Sequence, residues 1–318
     1  PPPPDKGLDP FVWRQAFGNK IFSTFGNPNF LGDFLVVMSP IILALFFKKR
    51  NFHLFFLWVL ITFSTIATYS KGAWIGFGLG LLTFAFLFVN FILNVQKSKR
   101  IFILIIMSVL TITTVTGAIL IQLKKRPDSA SFRTCTWLST FEMVNTNPVL
   151  GTGIGTFYVT YPSFRRPEIF FIEGAHNTET DHAENEYLEV LYDEGIIGLG
   201  IFLTLLAVFL TLGLKNLSYF RKRNLNNSTL AYLQLGVISA LVAQLGHNLV
   251  CVSLRFVSSG VMLWLLIGLI GAISFQYIKK DKIDLTLFPV PVKRILQTAV
   301  VLLMSYLIFI FYGFFQAD

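Results

Sequence analysis

Charge is scarce in this chain. Of its 318 residues only 14% are Asp, Glu, Lys or Arg, against roughly 25% in a soluble domain. Cysteine is nearly absent. Cys135 and Cys251 fall in or beside different segments, and no framework of spacings decides whether they are paired or free. There are four histidines, with no H-E-x-x-H and no Cys/His spacing that suggests zinc. A Gly-rich Walker sequence is also missing. These absences exclude a P-loop nucleotide enzyme, a zinc site of recognisable spacing and an ordinary soluble globule.

What fills the chain instead is apolar. Apolar residues make up 54% of it, with 34 phenylalanines. A helix satisfies its own backbone hydrogen bonds, so an apolar run of about 18 residues or more crosses a bilayer in that form. Eight such runs occur, near Phe30–Phe47, Phe52–Tyr69, Ala73–Val95, Ile101–Leu123, Ile196–Leu214, Thr229–Val250, Phe256–Ile278 and Ile295–Phe315. The expected fold is therefore all-α, a polytopic transmembrane bundle of about eight spans with one large external loop carrying short helices.

The net charge of +9 does not mark a nucleic-acid binder, because most of it sits in short loops between spans. These are Lys48–Arg50, Gln96–Arg100, Tyr219–Arg223, Lys279–Lys280 and Lys293–Arg294, on alternate turns of the chain and so on one face. The positive-inside rule makes that face cytoplasmic. Residues 1–123 then form an N-terminal four-span half, 124–195 an external loop, and 196–318 a C-terminal four-span half. The opening PPPPDKGLDP has no methionine and no signal-peptide pattern. It reads as the interior of a longer protein with upstream spans.

The long loop carries most of the polar chemistry, and loops of that length are usually functional. Two helices are expected in it. The first covers about Phe132–Thr146, capped by Ser129 or Ser131 and ended by Pro148. The second starts at Asp181, with Glu184 completing an Asp variant of the capping box and Gly195 at its C-terminal stop. His182, Asn185, Glu186 and Glu189 would share one face of it. GTGIG (Gly151–Gly155) lacks the strand-turn-helix context of a dinucleotide fingerprint and reads as a tight glycine turn.

On residues alone several assignments stay open. His182 is either a surface histidine or a general base kept neutral by the helix dipole, with the nearby carboxylates pulling the other way. Glu184 is either a capping acid or a base. Arg133, Arg165 and Arg166 are either solvated positives or forks for an anionic head group. Lys71 and Arg255, in short external turns, bring the outward positive positions to five, which favours the anion site. Asp33 lies about one turn into the first span, where the outer surface could keep it hydrated. His247 and Asn248 would be satisfied by packing or interfacial water.

Several segments then line up in order: FGNPNFLGDFL (Phe25–Leu35), YSKGAWIGF (Tyr69–Phe77), RTCTW (Arg133–Trp137), NPVLGTGIGTF (Asn147–Phe157) and DHAENEYLEVLYDEGIIGLGIF (Asp181–Phe202). Together they resemble the O-antigen ligase and O-antigen polymerase family of bacterial membrane glycosyltransferases, over about residues 22–270.

The resemblance implies a multi-pass protein of the bacterial inner membrane with its large loop periplasmic, working in lipopolysaccharide or polysaccharide assembly. Its donor would be an undecaprenyl-pyrophosphate-linked glycan and its acceptor a glycan, lipid or protein hydroxyl. No cofactor and no metal are expected. Arg133 matches the family's loop arginine, and His182 matches the first histidine of His-x-His-Asn. The second histidine of that pattern is Glu184 here, so the base is His182 or Glu184. The family's Ser-Arg-Gly turn reads Ser70-Lys71-Gly72, which keeps the charge and loses the fork. Arg133, Lys71 and one or both of Arg165 and Arg166 are the expected pyrophosphate ligands. Asn185, Glu189 and Trp137 are further candidates to touch substrate, Trp137 by stacking on a sugar face. A transporter for an anionic or lipid-linked solute is the rival from another class. It would want ionisable residues along the spans, where this chain has few.

Overall fold

The computed structural model describes residues 20–93, 95–125, 128–169 and 180–278. The eighth expected span, Ile295–Phe315, lies outside them. Pro1–Ser274 forms one compact unit, and the description below concerns it.

Helix is the only regular secondary structure among the described residues, with no strand. In order they form α1 (Pro28–Lys49), α2 (Phe52–Ala67), α3 (Lys71–Leu87, continued by a π-turn at Phe88–Ile92) and α4 (Lys97–Lys125). There follow α5 (Asp128–Val144), α6 (Glu186–Lys222), α7 (Thr229–His247) and α8 (Val257–Ile278). Polar caps fix the starts. Asn27, Asn51, Ser70 and Ser228 each accept a backbone N–H from the first turn of α1, α2, α3 and α7, which satisfies donors that no intrahelical carbonyl reaches.

Among the described residues six helices are long and apolar enough to cross a membrane: α1, α3 with its π-turn, α4, α6, α7 and α8. The run Phe52–Tyr69 departs from expectation. Its helix has 16 residues, about 24 Å at 1.5 Å per residue, short of a hydrocarbon layer of roughly 30 Å. Thr68 and Tyr69 turn the chain into the Ser70 cap instead, and Tyr69 sits at positive φ.

The centre of the bundle is α7 packed against α1 and α3. Small residues let these helices approach, which is how apolar helices associate when lipid offers no hydrophobic driving force. A Cβ at Gly76 would lie 2.5 Å from the Ala243 carbonyl oxygen, and one at Gly236 would meet the α1 backbone near Pro40 and Ile41. Gly76→Val should therefore destabilise the bundle by about 2–3 kcal/mol. Gly117→Ala, with nothing within 4 Å, should leave it unchanged. Thermal unfolding of the two variants in detergent compares them directly.

Asp33 departs from expectation too. It is fully buried (0% exposed) rather than hydrated. Gln244 Nε2 donates to it at 2.9 Å and Asn248 Nδ2 at 3.2 Å, which ties α1 to the end of α7. His247 is also buried, its Nε2 3.0 Å from Ser253 Oγ.

The two ends of the bundle differ. Lys48 reaches Asn227, Arg221 reaches the Asn90 carbonyl, and Arg100 lies 3.4 Å from Asn90 Oδ1. Three of the basic loops thus gather at one end, as their alternation in sequence requires. The starts of α1, α3 and α6 and the end of α7 meet at the other. There Ser70 Oγ donates to Asn29 Oδ1 at 2.8 Å, and the Glu186 N–H reaches the Asn248 and Cys251 carbonyls.

The described part of the long loop has a small core of its own. Met143 and Val144 of α5, Phe157, Tyr161, Ile169 and Ala183 close around Tyr192 of α6. Phe157 meets Tyr192 edge-on with centroids 5.7 Å apart, a favourable quadrupole geometry.

Candidate active site

The site is built where α5, the turn before α6, and the short connection between α7 and α8 meet. GTGIG does structural work here, as a glycine turn. Gly151, Gly153 and Gly155 all have positive φ. The N–H groups of Thr152 and Gly153 donate to the carbonyls of Tyr192 and Asp193 at 3.1 and 2.9 Å. Gly195 (φ 67°, ψ −171°) breaks α6 at that point and separates Glu186–Glu194 from the apolar span that follows. The loop therefore caps the first piece of α6 and sets its angle to the span.

That first piece does not begin at Asp181. Its N-cap is Asn185, whose Oδ1 accepts the Leu188 N–H at 3.0 Å, and Glu186 is the first helical residue. Glu184 is not a capping-box acid. Its backbone is left-handed (φ 56°), so the helix cannot extend back through it. His182 consequently sits in a turn ahead of the helix rather than in its first turn, and the dipole argument for a neutral imidazole does not apply.

Two side-chain pairs define the turn. Arg133 Nη2 lies 3.1 Å from Glu184 Oε2, joining α5 to the turn. His182 Nδ1 lies 2.7 Å from Glu189 Oε1, while the Ala183 N–H donates to Glu189 Oε2 at 2.7 Å. The hydrogen bond that the imidazole donates to Glu189 is the main reason its pKa rises above the ordinary 6.5. Burial opposes the rise, the Glu189 charge adds to it, and Arg255 and Asp181 act as smaller opposing charges. With Nδ1 turned to the carboxylate, Nε2 has no hydrogen-bond partner among the described residues. The side chain is 33% exposed.

Glu189 itself is only 1% exposed, and Arg255 also holds it, Nε to Oε1 at 3.1 Å. The same guanidinium lies 3.4 Å from Glu186 Oε1 and 2.7 Å from Asp193 Oδ2.

The remaining candidates are spread around this core. Asn185 Nδ2 donates to the Leu249 carbonyl at 2.9 Å and Tyr187 Oη to the Leu245 carbonyl at 2.8 Å. Both seat the helix on the end of α7. Trp137 is half-buried one turn beyond Arg133, its indole N–H without a partner among the described residues. Lys71 opens α3 next to Gly72, whose backbone lies against His247. Arg166 pairs with Glu142. Arg165 lines a pocket of about 290 Å³ with Tyr158, Val159, Tyr161, Pro162 and Thr180. Of the five outward positive positions, Arg133, Arg166 and Arg255 carry acidic partners. No group of three or more His, Cys, Asp and Glu side chains fit to hold a metal occurs among the described residues.

A family model described as O-Antigen ligase matches residues 55–203. Over that stretch the chain is similar to the O-antigen ligase family. No curated protein and no solved structure matches the chain. The matched stretch runs from α2 into α6 and holds Arg133, His182, Glu184 and Glu189. Arg255 lies beyond it. Sequence reading counted Arg255 only as an outward charge and passed over Asp193. A signal was present, because Glu186, Glu189 and Asp193 recur at helical spacing on one face. Three carboxylates so placed on a half-buried face call for a cation from elsewhere in the chain.

Proposed function

We propose that this protein is a membrane glycosyltransferase of O-antigen ligase type, which transfers a glycan from an undecaprenyl-pyrophosphate carrier to an acceptor hydroxyl. The reaction would take place at the bundle end away from the basic loops, which is the periplasmic face by the positive-inside rule. The observation that carries the reading is His182. Its Nδ1 is bound by a buried carboxylate and its Nε2 is left open on a partly exposed turn beside Arg133.

Glu189 accepts from Nδ1–H, which fixes the tautomer and leaves the Nε2 lone pair for the acceptor's proton. Glu184 is the weaker base candidate, because Arg133 already holds its carboxylate. A glycosyl pyrophosphate carries a good leaving group, so little acid assistance is needed on the departing side. The larger task is to stabilise pyrophosphate charge as the C–O bond breaks. Arg133 is the first candidate for that work, supported by Lys71 and Arg165. Arg166, paired with Glu142, comes after them. Glu189 and Asn185 serve as supports of the turn rather than substrate ligands.

Attack by the acceptor oxygen on the anomeric carbon, with the proton passing to Nε2 and pyrophosphate leaving, inverts the anomeric configuration. Retention in the product would end this single-displacement scheme. An apolar cleft of about 400 Å³ between α2, α3 and α4, lined by residues such as Trp74, Phe77 and Leu110, suits a polyprenyl chain. Lipid A-core, a second repeat unit or a protein hydroxyl would each serve the same chemistry as acceptor.

The test is acceptor-dependent release of undecaprenyl pyrophosphate from a lipid-linked oligosaccharide by the purified protein in nanodiscs, with chelator and a panel of acceptors. Arg133→Ala should lose about 100- to 1,000-fold in rate. Turnover equal to wild type would remove Arg133 from the pyrophosphate site.

A further inference from the structure

Arg255 lies outside the matched family stretch and is not among the expected pyrophosphate ligands, yet it is 17% exposed and faces three carboxylates of α6. One of those carboxylate oxygens, Glu189 Oε1, is the same atom that holds His182 Nδ1. We infer that Arg255 is a positioning residue for His182, acting through Glu189, and that it sets both the orientation and the basicity of the imidazole. This rests on the reading of His182 as the base.

The geometry supports the inference at both ends of the chain of contacts. Arg255 closes a 3₁₀ turn, Ser253–Arg255, that is pinned from the bundle. The Leu254 N–H donates to Asn248 Oδ1 at 3.3 Å, and Asn248 in turn donates to the buried Asp33. The turn is therefore fixed to α1 and α7. From it the guanidinium spans successive turns of α6, with Nη1 on Asp193 and Nε between Glu189 and Glu186. A planar fork suits that bridging role, and a lysine ammonium does not.

The electrostatic consequence follows from the shared oxygen. Without Arg255, His182 would face Glu189, Glu186 and Asp181 with only the Arg133–Glu184 pair beyond them, and the three α6 carboxylates would repel one another. Arg255 compensates that charge. It keeps the imidazole from becoming so basic that it stays protonated and useless as a base. It also keeps Glu189 from swinging away from Nδ1.

The test uses full-length protein in nanodiscs with 15N-labelled histidine, titrated by NMR. The chain has four histidines, and the His182 resonance is the one lost in His182→Gln. Arg255→Gln should move the His182 midpoint upward by about one pH unit. A midpoint that stays or falls would overturn the inference. Arg255→Lys keeps the charge and loses the fork, so its midpoint should stay near wild type while plateau transfer falls. Wild-type transfer in Arg255→Lys would overturn the orienting role. The lysine variant also keeps the inference testable if Arg255→Gln fails to fold. The titration needs no turnover. A shifted midpoint together with undiminished transfer in His182→Ala would sink the base assignment while leaving the clamp standing.

Discussion

His182→Ala is expected to lower glycan transfer about 100- to 10,000-fold, the usual contribution of a positioned general base, with carrier binding little changed. The loss should fall on the maximal rate rather than on half-saturation by the lipid-linked donor, because the imidazole acts on the acceptor's proton. Glu184→Gln should cost far less, through a loosened Arg133. If instead Glu184→Gln abolishes transfer and His182→Ala does not, the base is Glu184.

The pH profile gives a second, independent reading of the same group. A general base works as neutral imidazole, so the rate should rise with pH through the folded-state pKa of His182. The hydrogen bond to Glu189 holds that pKa above 6.5. Glu189→Gln removes the cause, so the alkaline-rising limb should move to lower pH while the plateau falls through lost orientation. The sign for stability runs the other way. A histidine whose folded pKa exceeds its unfolded value contributes stability fully below about 6.5, and loses it as pH rises through the folded value. The part of the stability difference between wild type and Glu189→Gln that comes from His182 should therefore be largest on the acid side and fade as the pH climbs, leaving the lost Arg255 pair. A pH–rate limb that does not move in Glu189→Gln would detach His182 from the chemistry.

The parts legible in the sequence are those set by local rules. Apolar runs bounded by Asn, Ser and basic residues gave α1, α3, α4, α7 and α8 close to their observed limits, because lipid leaves a spanning segment no alternative to helix. Gly195 was readable as a helix stop and GTGIG as a turn, because positive φ selects glycine. The start of α6 was not readable. Asp181 with Glu184 and Asn185 alone both offer plausible caps, and the choice is made by partners remote in sequence. Arg133 draws Glu184 out, and Glu189 pulls back the Ala183 N–H and His182. Arg255 was hidden for the same reason, since its partners lie on another helix. Composition could count its charge but could not say that the charge was already spent on three carboxylates.

Gly195→Val should be the most damaging single change outside the ionisable cluster. The residue sits at φ 67°, and a Cβ there would lie 2.2 Å from the Val149 carbonyl oxygen and 2.7 Å from the Gly151 nitrogen. These are backbone atoms of the loop that caps α6, so no side-chain rotation relieves the clash. Left-handed strain in a β-branched residue adds to it. The combined cost is on the order of 3 kcal/mol or more, enough to consume much of a marginal fold's stability. The Ile196 N–H to Pro148 carbonyl bond at 2.9 Å and the Thr152 and Gly153 caps would have to open together. The piece of α6 that carries Glu186, Glu189 and Asp193 would then lose its fixed angle to the span. Protein that survives purification should show a lowered unfolding midpoint and protease cleavage between Pro148 and Gly155, with transfer reduced alongside. Gly200→Val, on the same helix with nothing within 4 Å, is the matched control and should behave as wild type. Equal stability of the two variants would mean that the loop does not hold the helix, and the site would need another support.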